Sequence, residues 1–138
     1  MINAPRDTSN GLKWEKICCA KKEGIDLSKH KLYQYLKELK IDWKSLISKK
    51  LLPDEAYLVN DELKIYEKKF QKVAGSVDEK LQTCAFKISQ YRKIAKSLGI
   101  EKVSYIYLLN DWFKKPEYED VLQYINSVDG CSYQIVEV

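Results

Sequence analysis

Apolar residues along this chain follow two periods, and the switches between them mark out the elements. Leu12, Trp14, Ile17 and Cys18 are spaced for a short helix from about Gly11 to Lys22, ended by Gly24. Residues 1–10 are polar, contain Pro5 and read as a frayed arm. Ser28 is placed to cap a second helix, near Lys29 to Leu39, where Leu32, Tyr35, Leu36 and Leu39 recur at helical spacing. Asp42 can cap a third short turn carrying Trp43, Leu46 and Ile47. Residues 11–49 thus read as an all-helical layer, available for packing or for a dimer surface, and its tyrosine, tryptophan and cationic side chains can equally serve to read DNA.

The pattern then changes. Leu51 to Val59 and Leu63 to Gln71 are apolar, β-branched and aromatic enough for two strands, and Asn60-Asp61 between them is a good hairpin turn pair. Val73-Ala74-Gly75 breaks the second strand. Ser76-Val77-Asp78-Glu79 has the form of a capping box. The helix it opens runs to about Leu98 and is stopped by Gly99. Val77, Leu81, Cys84, Ile88, Tyr91, Ala95 and Leu98 fall at steps of four and three and form its core stripe. Lys102 to Leu109 is apolar on both faces and predicts a central strand. Pro116 opens a last helix to about Ser127, with Tyr118, Val121, Leu122 and Ile125 inward. Tyr133 to Val138 can form a final strand. The helix between the second and third strands allows a right-handed βαβ crossover. The expected fold is an α/β sandwich with a mixed sheet, in one domain spanning residues 1–138.

Charge sharpens this picture. The net charge is +4, but residues 64–96 hold nine Lys/Arg against three acids, a local excess of +6. Such a segment suits a polyanionic partner, or is simply a solvated helix face. The four cysteines (Cys18, Cys19, Cys84, Cys131) contain no CxxC, and His30 is the lone histidine, which argues against a zinc site. His30 reads as a surface residue and Cys84 as packing. No stretch resembles a secretory signal, and no apolar run approaches the roughly 20 residues that span a bilayer. Reduced thiols in a cytoplasmic protein, away from membranes, are the expectation.

The hairpin carries the candidate chemistry. If Asn60 and Asp61 form a two-residue loop, Val59 faces Glu62, Leu58 faces Leu63, and Asp54 faces Glu67. Residues so opposed have Cβ atoms about 4.5–5.5 Å apart. Two carboxylates at that separation repel, and a hard divalent cation or the ammonium of Lys69 can compensate. Lys69 is two residues beyond Glu67, on the same strand face as Leu63 and Ile65. By the same parity Glu55 falls on the opposite face, and Asp61 lies in the turn. Each group also has a plainer role: Asp54 as a turn residue after Pro53, and Glu67 with Lys69 as an ordinary ion pair.

Pro53-Asp54 followed by Glu67-Lys68-Lys69 resembles the signature of the PD-(D/E)XK nuclease superfamily. The order helix, hairpin, helix, strand is similar to that family's core. The string Glu67-Lys-Lys-Phe-Gln-Lys-Val-Ala-Gly-Ser-Val-Asp-Glu-Lys-Leu81 resembles type II restriction endonucleases of the group, as do Leu109-Asn-Asp-Trp-Phe113 and Pro116-Glu-Tyr. The likeness covers roughly residues 50–130. It implies a restriction-endonuclease-like fold with residues 50–138 as catalytic core. It also implies that Asp54, Glu67 and the backbone carbonyl of Lys68 bind Mg²⁺, with Mn²⁺ as a substitute. Lys69 would orient or help deprotonate the attacking water, and Gln71 would be an accessory contact to water or phosphate. Glu15, with Gly11 before it, stands where many members carry an extra acid in the first helix; a solvated acid is the alternative.

The resulting expectation is a Mg²⁺-dependent endonuclease hydrolysing phosphodiester bonds in double-stranded DNA, most like a sequence-specific type II restriction enzyme. Symmetric cutting of both strands implies a homodimer. Lys80 and Lys87, seven residues apart on the helix after Ser76, are candidates for phosphate contacts, with Ser76 at a helix N-terminus that favours an anion. Those lysines can equally just flank the core stripe. A repair, recombination or phage nuclease of the same fold and a non-catalytic DNA-binding protein are the alternatives.

Overall fold

The computed structural model describes residues 4–73 and 75–137, with side chains from residue 11 onward. The chain forms an α/β fold whose five-stranded mixed sheet is flanked by helices. In chain order the elements are α1 (Ala4–Ile17), β1 (Ile25–Asp26), α2 (Lys31–Glu38), β2 (Glu55–Val59), β3 (Glu62–Lys69), α3 (Val77–Leu81), α4 (Cys84–Ser97), β4 (Lys102–Leu109), α5 (Glu119–Ser127) and β5 (Cys131–Ile135). Short 3₁₀ turns occupy Trp43–Ser45, Asp111–Lys114 and Pro116–Tyr118. The strands lie side by side in chain order. β1, β2 and β3 are antiparallel neighbours, whereas β3, β4 and β5 run parallel. Among the described residues no helix is long and apolar enough to cross a membrane.

The sheet has an apolar core on each side. One joins Leu32 and Leu36 of α2, Leu81 of α3, Ile88 and Tyr91 of α4 and Ile125 of α5 to Leu63, Ile65, Tyr105 and Tyr107. The other packs Trp14 and Cys18 against Tyr57, Tyr66, Ile106 and Leu108. β4 serves both, as its two-faced apolar pattern predicts. It follows that α1 and α2 lie on opposite faces of the sheet. The expected all-helical layer over residues 11–49 is therefore corrected: β1 runs between the two helices and pairs with β2. Gly24 permits that pairing, since its φ is +66° and a Cβ there would fall 2.2 Å from the carbonyl oxygen of Leu58.

Several boundaries differ from the sequence pattern for local reasons. Residues 4–10 are helical rather than a frayed arm, with Pro5 in the first turn, where its missing N–H is harmless; the arm's first three residues lie outside the described ones. Leu12 and Ile17 stay exposed while Trp14 and Cys18 are buried. Ser28 does not cap α2; its Oγ accepts from the Ala56 N–H at 3.0 Å and ties the turn to β2. Asp42 does cap its turn, accepting from the Lys44 N–H at 3.1 Å. β2 begins at Glu55 rather than Leu51, because the preceding backbone is engaged elsewhere. Leu51 donates its N–H to the Tyr33 hydroxyl, and the Pro53 carbonyl accepts from the Lys29 N–H.

The long helix expected from Ser76 to Leu98 is two helices. Its bonds shorten to i→i−3 at Gln82 and Thr83, and the Thr83 hydroxyl takes the Lys80 carbonyl at 2.7 Å. The apolar stripe survives the break, with Leu81, Cys84, Ile88, Tyr91 and Ala95 all buried. Ser76 precedes α3 but makes no side-chain cap. Ala74, in the expected strand break, and Val138, at the end of the expected last strand, lie outside the described residues. That last strand is β5, shifted two residues toward the N-terminus.

Candidate active site

The hairpin has the register that its turn implies. Val59 pairs with Glu62, Leu58 with Leu63 and Glu55 with Tyr66, so Asp54 stands opposite Glu67 just beyond the last ladder pair. Asn60 adopts φ +55°, the left-handed conformation that such a loop needs. Two backbone hydrogen bonds fix the acids. Glu67 Oε2 accepts from the Asp54 N–H at 2.9 Å, and Asp54 Oδ2 accepts from the Lys68 N–H at 2.7 Å. Each carboxylate is thereby oriented by the backbone of the other's strand.

Glu67 and Lys69 lie on the core face that carries Leu63 and Ile65, where β3 runs parallel to β4 and Glu67 pairs with Tyr107. The pair thus stands near the carboxyl ends of two parallel strands, where open α/β sheets form their binding crevices. Both acids are half-buried. Burial, then the charge of Asp54, pushes the Glu67 carboxyl up from 4.5 to about 7, although the Asp54 N–H, Lys69 and Lys29 pull the other way. Tyr91 and Tyr105 are in turn raised, first by burial and then by the charge of Glu67.

A residue that the sequence marks only as a helix start joins this site. Lys29 reaches across from the turn before α2, and its Nζ is 2.6 Å from Asp54 Oδ1. Burial acts to lower its pKa, but the hydrogen bond and charge of Asp54, followed by the charges of Glu67 and Glu15, hold it above the ordinary value. Lys29 itself has φ +52°, unusual for a residue with a side chain. Nothing in the spacing marks it for the site, because the turn that aims it forms only when Ser28 and Lys29 dock on Ala56 and Pro53.

The remaining expected residues are distributed as follows. Lys68 points to the opposite face, where its Nζ is 3.2 Å from Glu55 and also donates to the backbone carbonyl of Glu15 at 3.1 Å. Glu55 is no bystander there. It is 6 % exposed and accepts from the Ala20 N–H and the Tyr57 hydroxyl as well, which pins the segment after α1 to the hairpin. The Glu15 side chain is exposed on α1. Gly11 packs against the Phe70 ring, where a Cβ would come within 3.2 Å. Gln71 follows the end of β3 and turns into the core, 5 % exposed. Its backbone is clamped on both sides by the Asn110 amide, its Nε2 reaches the Tyr118 hydroxyl at 3.4 Å, and its Oε1 has no partner among the described residues. Lys80 is exposed on α3, Lys87 half-buried on α4, and Ser76 exposed ahead of α3.

Donors for a metal can be counted from this geometry. Asp54, Glu67 and the Lys68 carbonyl are hard oxygen ligands, the kind that suits Mg²⁺. Among the described residues no group of three or more His, Cys, Asp or Glu is gathered. Two carboxylates nevertheless fit Mg²⁺, which commonly keeps several waters and completes its shell with substrate phosphate. The four cysteines are free, and all but Cys19 are buried. No protein-family model matches the chain, and neither a curated protein nor a solved structure matches it significantly.

Proposed function

We propose that this chain is a Mg²⁺-dependent DNA endonuclease of the PD-(D/E)XK kind, most like a type II restriction enzyme acting in the cytoplasm. The observation that carries this reading is the register: Asp54 opposite Glu67, with Lys69 next on the same face. Two acids held together in a half-buried site, one of them pushed to about 7, form a pair that a divalent cation would relieve. In the proposed site Asp54, Glu67 and the Lys68 carbonyl hold Mg²⁺, and Mn²⁺ can substitute. The bound ion would supply charge stabilisation at the phosphoryl group and lower the pKa of water. Lys69 orients the attacking water and offsets charge developing on the phosphate. Lys29 neutralises Asp54 before substrate arrives. Glu15 supports the site less directly, by its charge, and Gln71, turned into the core, is no contact to water or phosphate in this proposal.

Cutting both strands of a duplex needs two such sites, so a homodimer is part of the proposal. Residues 11–49 offer no single surface for it, because α1 and α2 lie on opposite faces. Incubation of plasmid and phage DNA with the protein in Mg²⁺ or in EDTA tests the reading. Discrete fragments that need Mg²⁺ support a sequence-specific enzyme. Structure-dependent nicking points instead to a repair, recombination or phage nuclease of the same fold.

One observation favours a non-catalytic DNA-binding protein. The Lys29–Asp54 ion pair and a protonated Glu67 let the acid pair persist with no cation. DNA binding without cleavage in Mg²⁺ or Mn²⁺ would select that reading.

A further inference from the structure

A groove of about 710 Å³ runs between α2 and the Trp43–Ser45 turn. Four lysines line it: Lys37, Lys40, Lys44 and Lys50. All four are exposed, and among the described residues none is in an ion pair. Asp42 is the acid in its lining, and its carboxylate already caps the turn. Like charges gathered along one groove repel, and each gains from an anion laid between them.

Backbone conformation adds an independent point. Helix α2 ends in a Schellman turn, with the Ile41 N–H reaching the Leu36 carbonyl at 2.9 Å. The residue at the left-handed position of that turn is Lys40, φ +61°, where glycine is the usual choice. At the other end of α2 stands Lys29, also left-handed. Both ends of the helix therefore accept a strained lysine, and such outliers collect at binding sites.

Two chain segments lead from the groove's lining to the acid pair. One wall begins at His30, next to the lysine that touches Asp54. The other passes from Lys50 through Leu51 to Pro53, and the walls are joined by Leu51 N–H to Tyr33 Oη at 2.8 Å and Lys29 N–H to the Pro53 carbonyl at 2.8 Å. We infer that this groove is the track on which one strand's phosphate backbone of a DNA duplex lies as it approaches the Asp54–Glu67 site. The choice of occupant rests on the nuclease reading proposed above. A duplex fits better than an unpaired strand, whose binding relies on open aromatic faces for its bases. Tyr33 is buried, and the Lys50 ammonium covers it at 4.7 Å and Trp43 at 5.3 Å. What the groove offers is point charge, the currency of phosphate contacts.

The test is salt-dependent binding of a fluorescent duplex, followed by anisotropy in EDTA so that nothing is cut. A Lys37→Gln, Lys40→Gln, Lys44→Gln variant is compared with the wild type and with Lys80→Gln, Lys87→Gln. Lys50 is left in place because it also packs on the two rings. The groove variant should unfold at the wild-type temperature and lose affinity at least tenfold at low salt. Its log–log salt slope should be shallower by roughly three, about 0.9 per lost contact. A full wild-type slope in the groove variant, with duplex still bound, overturns the groove and leaves the nuclease reading standing. Tighter binding of single-stranded DNA or RNA that the groove variant loses overturns the duplex as occupant. Absence of any salt-dependent duplex binding by the wild type, in EDTA and in Ca²⁺ alike, overturns the groove and the nuclease reading together.

Discussion

Replacing Glu67 by Gln tests the electrostatics of the acid pair without touching the packing around it. In the metal-free fold the Glu67 carboxyl keeps its proton to about pH 7, whereas in the unfolded chain it ionises near 4.5. Between those values the folded state binds the extra proton, so stability falls as pH rises through the window and levels off above it. At about 1.4 kcal/mol per pH unit, ionised Glu67 costs the fold roughly 3 kcal/mol above pH 7. Gln removes that cost and its oxygen can still accept the Asp54 N–H. Its new NH₂ needs a partner, which takes back about 1–2 kcal/mol. The net gain at pH 8 is then about 1–2 kcal/mol, roughly 4–7 °C in Tm for a chain of this size. At pH 4.5 the wild-type carboxyl is neutral, and the variant should have no advantage. Thermal unfolding in EDTA from pH 4.5 to 8, by circular dichroism, measures both ends. A wild-type Tm that does not fall across this range, or a Gln variant with the same offset at both ends, would refute the picture of a crowded, half-buried acid pair.

Other outcomes follow from neighbouring contacts. Mg²⁺ should raise the wild-type Tm at pH 8 in proportion to the logarithm of its concentration, and Asp54→Asn should abolish the increment; calorimetric titration gives the same comparison. Lys29→Met should lower the basal stability of the metal-free protein near neutral pH, because Asp54 then faces Glu67 without its cation, and addition of Mg²⁺ should restore part of the loss. Asn110→Ala leaves the Gln71 N–H and carbonyl without their buried partner and should cost about 1–3 kcal/mol in urea unfolding. Ca²⁺ should support DNA binding without cleavage, which gel-shift and cleavage assays run side by side would show.

The parts of this molecule that the sequence made legible are those governed by short-range rules. Asn60-Asp61 sets the hairpin's parity, and parity alone carries Asp54 to Glu67 and Lys69 to the same face. The stripe from Leu81 to Ala95 survives a helix break because its spacing depends on burial rather than on an unbroken ladder. Other features depend on tertiary contacts that periodicity does not encode. An amphipathic helix shows which side is apolar but not which face of the sheet it covers, so α1 and α2 read as one layer. β1 is two residues long and pairs only because Gly24 lets the backbone approach Leu58 closely. Strand parity extrapolated past Lys69 sets Gln71 beside the acids, but β3 ends there and Asn110 turns Gln71 into the core. Lys29 escapes notice because a left-handed lysine has no sequence signature. Parity puts Glu55 on the face opposite Glu67, but its burial depends on Lys68, Tyr57 and Ala20 meeting there.

The central claim is that Asp54, Glu67 and Lys69 act as one unit on a phosphodiester bond. Single-turnover cleavage of a labelled duplex that the wild type cuts, with Lys69→Ala run beside it, tests this most directly. The account predicts Mg²⁺-dependent strand scission by the wild type, no scission in EDTA, and a rate lowered by at least about 10²–10³-fold in the variant, as for loss of one transition-state donor. The variant should unfold at the wild-type temperature and still bind the duplex. Equal cleavage rates for the two proteins, or wild-type cutting undiminished in EDTA, would contradict it.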